Sequence, residues 1–379
     1  MPVSSQQDRA DGTRLMFELV NALPDQLAAS ASLEGLAAVR EPAGDCRRII
    51  LCGMGGSAIA GDLVQPLLDG SGVQLVVWRD YGLPAWARSD DFVICSSYSG
   101  HTEESLSGAR AAGDLGCARL AITSGGELAG LAAAEDFPAV LLPPGLPPRA
   151  SLGLGLGALT RCLGRMGILA DAAEELALAA EHLAAMRDAR SSPVAGDGSV
   201  GPETLADPEG NLPAADLAAL LVGTTPVIYT AGAEAHAAGW RLKAQLNENS
   251  KAPACLAAFP ELNHNDLVGW DLAAAERGRF VLLILHGMSD NERIDRRVAL
   301  TRDLLAEEFP EIHHVRTAAS GRLARIMSLV QYGDFLSCHL ARLRGVDPVP
   351  VARIIRLKEE LAKPEYSLKP TVIGVEERS

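Results

Sequence analysis

Aromatic side chains are scarce in this 379-residue chain, where Phe, Trp and Tyr together make up 4%. So few rings leave little for bases to stack on, which argues against a single-strand nucleic-acid binder. Basic residues are also short: 34 Lys and Arg stand against 48 Asp and Glu, a formal net charge of −14. That field repels phosphate backbones and acidic membrane surfaces unless a local basic patch overrides it, and the sequence offers none. Cysteines number seven, at 46, 52, 95, 117, 162, 255 and 338, without a C-x-x-C pair. An odd count placed mostly in apolar runs such as IILCG and FVICSS reads as reduced core thiols, not a disulfide framework. No unbroken apolar span is long enough to cross a bilayer, and MPVSSQQDRADGTRLMF lacks the basic-then-apolar pattern of a secretory leader. The expectation is a cytoplasmic protein with neither nucleic acid nor membrane as partner.

What is there is ordinary for a folded chain, with 48% hydrophobic and 22% charged residues. At about 150 residues per domain the length suggests two or three domains. From residue 48, short β-branched runs alternate with Ala/Leu-rich helical stretches: RRIILCG (47–53), QLVVW (74–78), DFVICSS (91–97) and RLAITS (119–124). Strands apolar on both faces are those of a parallel sheet covered by helices on both sides, so the reading is a doubly wound α/β domain. Residues 190–211, RSSPVAGDGSVGPETLADPEGN, lack an apolar rhythm and read as a linker. The alternation then resumes with TPVIYTAG, ACLAAF, RFVLLIL and HHVRT, followed by helices near 320–344 and 350–362 and a Pro-bearing tail. The expected organisation is 1–190, linker 190–211 and 212–379, two α/β units with mainly parallel sheets.

GMGGSA (Gly53 to Ala58) sits between a strand and a helix, where free N–H groups at a helix start form an anion site. Gly55, Gly56 and Ser57 are its candidates. The same spelling fits the dinucleotide fingerprint G-x-G-x-x-A, with Asp80 after the next strand as the ribose acid, and a turn that binds nothing is the bland alternative. SSYSGHTEESL (Ser96 to Leu106) weighs between them. Ser97, Ser99 and Thr102 crowd hydroxyls into the turn after a neighbouring strand, which suits a compact phosphate monoester better than a pyrophosphate bridge. Each hydroxyl alone could be only a helix cap.

GMGGSAIAGDL, SSYSGHTEE and ITSGGELA (122–129), in that order, resemble the sugar isomerase (SIS) domain, a doubly wound fold that binds phosphosugars. The family's usual Asn after the SYSG glycine is His101 here, and a Lys often found after the GG pair is Glu127. Four later segments carry groups able to do chemistry. Arg149 follows a Pro-rich turn, and would otherwise be an ordinary surface arginine. Glu248 lies in QLNENSKAP, which also reads as a solvated helix C-terminus. His264 stands between two asparagines in ELNHND, where Asn263 or Asn265 could simply cap. Lys358 lies on an amphipathic helix and could be one more exposed cation.

Their joint order resembles the bifunctional phosphoglucose/phosphomannose isomerases, which carry PRA, ENxK, LNHN and DPxPVxxIxxLK in this sequence order. The likeness runs from about residue 45 to 361. It implies two SIS-like domains and an aldose–ketose isomerase acting on glucose, fructose and mannose 6-phosphates through a cis-enediol(ate). By the resemblance Glu248 moves the proton between C1 and C2, Arg149 faces the developing oxyanion, and His264 with Lys358 opens the sugar ring. It also implies a homodimer in which the histidine of one subunit completes its neighbour's site. No cofactor is implied. The eight histidines include no H-x-x-x-H pair with carboxylates, so no metal centre is expected. A phosphosugar sensor without turnover remains the rival reading, and a dinucleotide-dependent oxidoreductase the third.

Overall fold

The computed structural model describes residues 6–42, 46–191, 210–273, 275–288, 291–361 and 363. Two helices, α1 (Gln6–Asn21) and α2 (Leu23–Ala29), precede an alternating series: β1 (Arg48–Gly53), α3 (Gly55–Val64), β2 (Gln74–Trp78), β3 (Phe92–Ser97), α4 (Glu103–Leu115), β4 (Ala118–Thr123), α5 (Gly126–Ala134) and β5 (Ala139–Leu141). Helices α6 (Leu152–Arg165), α7 (Ala172–Ser191) and α8 (Ala214–Leu220) lead to the second series. That series runs β6 (Thr225–Ala231), α9 (Ala233–Glu248), β7 (Cys255–Ala258), β8 (Phe280–His286), α10 (Glu292–Leu304), β9 (Ile312–Arg316), α11 (Arg322–Leu343) and α12 (Ala352–Leu361). Most of the expected linker, 192–209, and the tail from 364 lie outside the described residues.

Every strand pairing within the two sheets is parallel, in the orders β2-β1-β3-β4-β5 and β7-β6-β8-β9. The fold class is therefore α/β, as the apolar strands predicted. Side chains alternate across each strand. Ile49, Leu51 and Ile94 of the first sheet, with Ile228, Leu283 and Leu285 of the second, belong to one apolar core. The opposite faces are closed separately: Ile50, Cys52 and Val93 under α4 and α5, and Val227, Leu282 and Ile284 under α10. One layer of helices thus fills the space between two sheets. Its central member is α11, buried on all sides from Ile326 to Ala341, as a helix without a polar face must be.

Five of the seven cysteines are buried free thiols, as read from the sequence, but Cys255 is exposed and Cys46 half-buried. Cys255 opens β7, an edge strand of the second sheet. Its apolar-looking neighbours in ACLAAF mark an edge, not an interior.

In the first sheet the order reverses between β1 and β3, so the turns after these two strands flank the point where open α/β sheets bind ligands. Gly100 in the second turn has φ +71°, and a Cβ there would stand 1.9 Å from the carbonyl oxygen of Gly125. Only glycine fits, and the turn after β4 is thereby locked beneath the turn after β3. Leu128 N–H donates to Gly100 O (3.0 Å) and Ser124 N–H to Tyr98 O (3.0 Å) across the same junction.

Candidate active site

The hydroxyl cradle comes from two of these turns. The Ser97 hydroxyl donates to Thr102 Oγ1 (2.9 Å), and Gly100 N–H donates back to Ser97 Oγ (3.1 Å). Thr102 stands at the N-cap of α4 but makes no capping bond with its side chain, so the helix-cap reading does not account for it. Ser99 Oγ accepts from His101 N–H at 3.3 Å, and Ser57 Oγ from Tyr98 N–H at 3.3 Å, tying the start of α3 to the second turn. The first N–H groups of α3 and α4 have no partner within their own helices, and the dipoles add positive potential. His101 and Glu127, the two departures from the SIS pattern, face each other at 4.0 Å on the exposed rim, with Arg110 3.7 Å from Glu127. Asp80 follows β2, but its Oδ1 accepts from Tyr81 N–H at 2.7 Å within its own turn.

Tyr98 links the cradle to the next segment. Its hydroxyl donates to Pro143 O (2.7 Å) and accepts from Leu146 N–H (3.0 Å). That bond pair brings the Pro-rich turn down beside α3. There a Cβ on Gly56 would lie 3.1 Å from Pro148 O and 3.6 Å from the Cα of Arg149. The small residues of GMGGSA therefore serve close approach to the arginine turn.

Arg149 is not a surface arginine; it is 6% exposed. Nε donates to Asn249 Oδ1 (2.8 Å) and Nη2 to Pro348 O (2.5 Å) and Val349 O (2.9 Å). Nη1 is left facing Glu248 Oε2 at 3.7 Å. Burial pulls the Arg149 guanidinium down from its ordinary range, and Glu248 opposes that shift. An arginine remains charged even so.

Glu248 is the last residue of α9, as the helix-end reading held, yet the two residues after it are not solvated, though Lys251 beyond them is exposed. Asn249 and Ser250 are fully buried: Asn249 Nδ2 donates to Ser337 Oγ (3.0 Å) and Ser250 Oγ to Ser337 O (2.7 Å) on α11. Lys251 has a left-handed φ of +53° and donates to Glu248 O and to Pro350 O. Partial burial, then the nearby Arg149, push its amine below the usual lysine range. The ENSK stretch is thus a tight, anchored helix end that fixes where the carboxylate of Glu248 stands.

Beneath it lies a network that the sequence reading did not single out. Arg241 grips Asp334 with two parallel bonds, Nε to Oδ1 at 2.9 Å and Nη2 to Oδ2 at 2.6 Å, and Nη2 also donates to Arg149 O at 3.0 Å. Gln245 Nε2 donates to Asp334 Oδ1 at 3.1 Å. Burial pushes the Asp334 carboxyl up, against the stabilising Arg241 and Gln245. Arg241 and Gln245 are four residues apart on the face of α9 that turns to α11. A polar pair at that spacing within a buried stripe was the available signal.

His264, in a short 3-10 turn (Glu261–His264), and Lys358, on α12, are both exposed. Within one chain neither makes a hydrogen bond or ion pair with Arg149 or Glu248. The structure therefore gathers Arg149, Glu248 and the cradle, and leaves His264 and Lys358 at the surface.

A family model described as the bacterial phospho-glucose isomerase C-terminal SIS domain matches residues 211–361. The chain is 35% identical over 349 residues to the bifunctional phosphoglucose/phosphomannose isomerase of Caldicellulosiruptor bescii, covering 92% of this chain and 99% of that one. It is 36% identical over 319 residues to the protein of the same description from Aquifex aeolicus, covering 83% and 90%. The crystal structure of a glucose-6-phosphate isomerase like protein from Thermus thermophilus superposes with a TM-score of 0.54 at 20% identity, over 94% of this chain and 99% of that one. That last likeness is one of fold.

Proposed function

This chain belongs to the bifunctional phosphoglucose/phosphomannose isomerase family, and on that premise we propose that it interconverts glucose 6-phosphate and fructose 6-phosphate, with mannose 6-phosphate as a further substrate. One observation carries the reading. Three N–H groups of Arg149 are engaged by Asn249 and two carbonyls, so the remaining nitrogen, Nη1, stands 3.7 Å from the Glu248 carboxylate in a buried setting next to the Gly56 turn.

Enolisation needs those two groups. Glu248 takes the proton from C2 of the open-chain aldose, the C2 electrons form the C1–C2 double bond, and negative charge develops on O1 beside Nη1. The O2 proton passes to O1, which becomes the C1 hydroxyl, and Glu248 returns its proton to C1 as O2 becomes the ketose carbonyl. The sugar's phosphate sits in the cradle of Gly55, Gly56, Ser57, Ser97, Ser99 and Thr102, held by hydroxyls and helix N-termini. Such a base and cation suffice for proton transfer alpha to a carbonyl, so the reaction is read as metal-independent.

His264 and Lys358 open the closed ring, with His264 supplied by a second subunit. Supporting this, both lie beside apolar surface without a partner: Val268 near His264 is 78% exposed, and Ile354, Ile355, Leu357 and Leu361 of α12 are exposed around Lys358. The two sheets with their helices are read as two SIS-like units joined at about 190–211.

The test is to incubate EDTA-treated protein with fructose 6-phosphate in deuterated water and follow the products by NMR. Deuterium at C2 of glucose or mannose 6-phosphate is the expected result. Binding of fructose 6-phosphate without conversion would instead favour the non-catalytic sensor.

A further inference from the structure

Away from the Arg149–Glu248 site, a cavity of about 400 Å³ lies at the carboxyl ends of β8 and β9, under α10. Register pairs Ile284 with His314 and His286 with Arg316, so His286, His314 and Arg316 project from the same face of the sheet. Helix α10 closes the other side with Asp295 and Arg302. Both ring nitrogens of His314 and Nδ1 of His286 are buried with no hydrogen-bond partner. Buried polar atoms are nearly always paired, so three orphaned nitrogens around one cavity call for a ligand. Arg316 has no side-chain partner among the described residues, while Arg302 is held by Asp303 (2.8 Å) and His286 Nε2 by Asp295 Oδ1 (2.9 Å). Burial, then Arg316, Arg302, His286 and His313, push the His314 ring down to about 4. At His314 the acting charges are thus the cations Arg316 and Arg302, and the cavity is large enough for a small metabolite. It also occupies the end of the sheet where open α/β folds take their ligands.

We propose that this cavity is a second anion site, which binds a small phosphate monoester between Arg316, His314 and His286, separate from the Ser97–Thr102 cradle. Phosphate oxygens accept from the Arg316 guanidinium and from the His314 ring, which gains a proton as the anion enters, while His286, whose Nε2–H is given to Asp295, accepts at Nδ1 from the hydroxyl of a monoanionic phosphate. Asp295, already engaged by His286, is left to receive a hydroxyl of the ligand's organic part.

The test uses the full chain with isotopically labelled histidine and inorganic phosphate as probe, at constant ionic strength set with chloride. The His314 ring signals are expected to shift saturably at roughly millimolar phosphate, with the ring's titration midpoint raised by about one unit or more. Arg316→Ala, an exposed position, is expected to weaken that response about tenfold or more. A Ser97→Ala/Thr102→Ala double variant is expected to leave it intact. The proposal is overturned if the His314 signals do not saturate, if Arg316→Ala responds like the wild type, or if the double variant abolishes the response. None of these readouts depends on isomerase turnover.

Discussion

A guanidinium presents five N–H groups in a rigid fork, and at Arg149 the protein engages three and leaves a pair turned toward Glu248. A lysine could not divide its donors in that way. Since a positioned base contributes about 10²- to 10⁴-fold, Glu248→Gln is expected to lower kcat by that factor. Its half-exposed side chain makes no structural bond with its carboxylate beyond the arginine, so the thermal midpoint should stay near wild type. A large drop in stability instead would mean that the carboxylate serves the fold. A second residue-scale prediction concerns His314, whose folded-state ring titrates near 4 against an ordinary value of 6.5. Between those values the unfolded chain takes up a proton that the folded one refuses, so this group's share of stability is present above about 6.5 and is lost as pH falls toward about 4. Urea midpoints in phosphate-free buffer should therefore decline less steeply over that window in His314→Gln than in wild type. Parallel declines in the two proteins would refute the assignment.

At the scale of elements, the placement of Glu248 against Arg149 depends on how α9 ends. The helix has an apolar stripe, Ala235, Ala238, Leu242 and Leu246, that turns it toward the core between the sheets. Arg241 and Gln245 on the adjoining face meet Asp334 of α11. Removing one partner of a buried ion pair strands the other charge, at a cost of about 3–5 kcal/mol. Asp334→Asn keeps the shape and removes the charge, so its unfolding free energy from urea denaturation should fall by an amount of that order. Because Arg241 also donates to Arg149 O, kcat should fall with it. A variant with unchanged stability would show that the pair is dispensable. Strand and helix positions were legible in the sequence because apolar runs and Ala/Leu-rich stretches alternate strongly. β5 was passed over in the sequence reading: three residues, Ala139–Leu141, are too few to show a period. The buried state of Arg149 was also hidden, since a Pro-rich turn and one cation look the same at a surface or under a helix.

At the scale of the molecule, one core joins the inner faces of both sheets, which is why residues a hundred positions apart meet at Arg149. The exposed His264 and Lys358, each set in uncovered apolar surface, are the whole-molecule argument for a second subunit. Mixing Glu248→Ala and His264→Ala subunits should restore part of the activity, because one of the two sites in a heterodimer then carries both wild-type residues. Verified subunit exchange without recovery would count against a shared site. By itself the sequence determined the α/β class, the two glycine- and hydroxyl-rich turns and the ordered Arg, Glu, His and Lys segments, because each is written in local spacing and residue type. Only the tertiary structure decided that Arg149 is buried against Glu248, that Asp334 holds their support, and that His314 faces a cavity. Those facts depend on which sheet faces share a helix layer, and no local pattern in the chain encodes that.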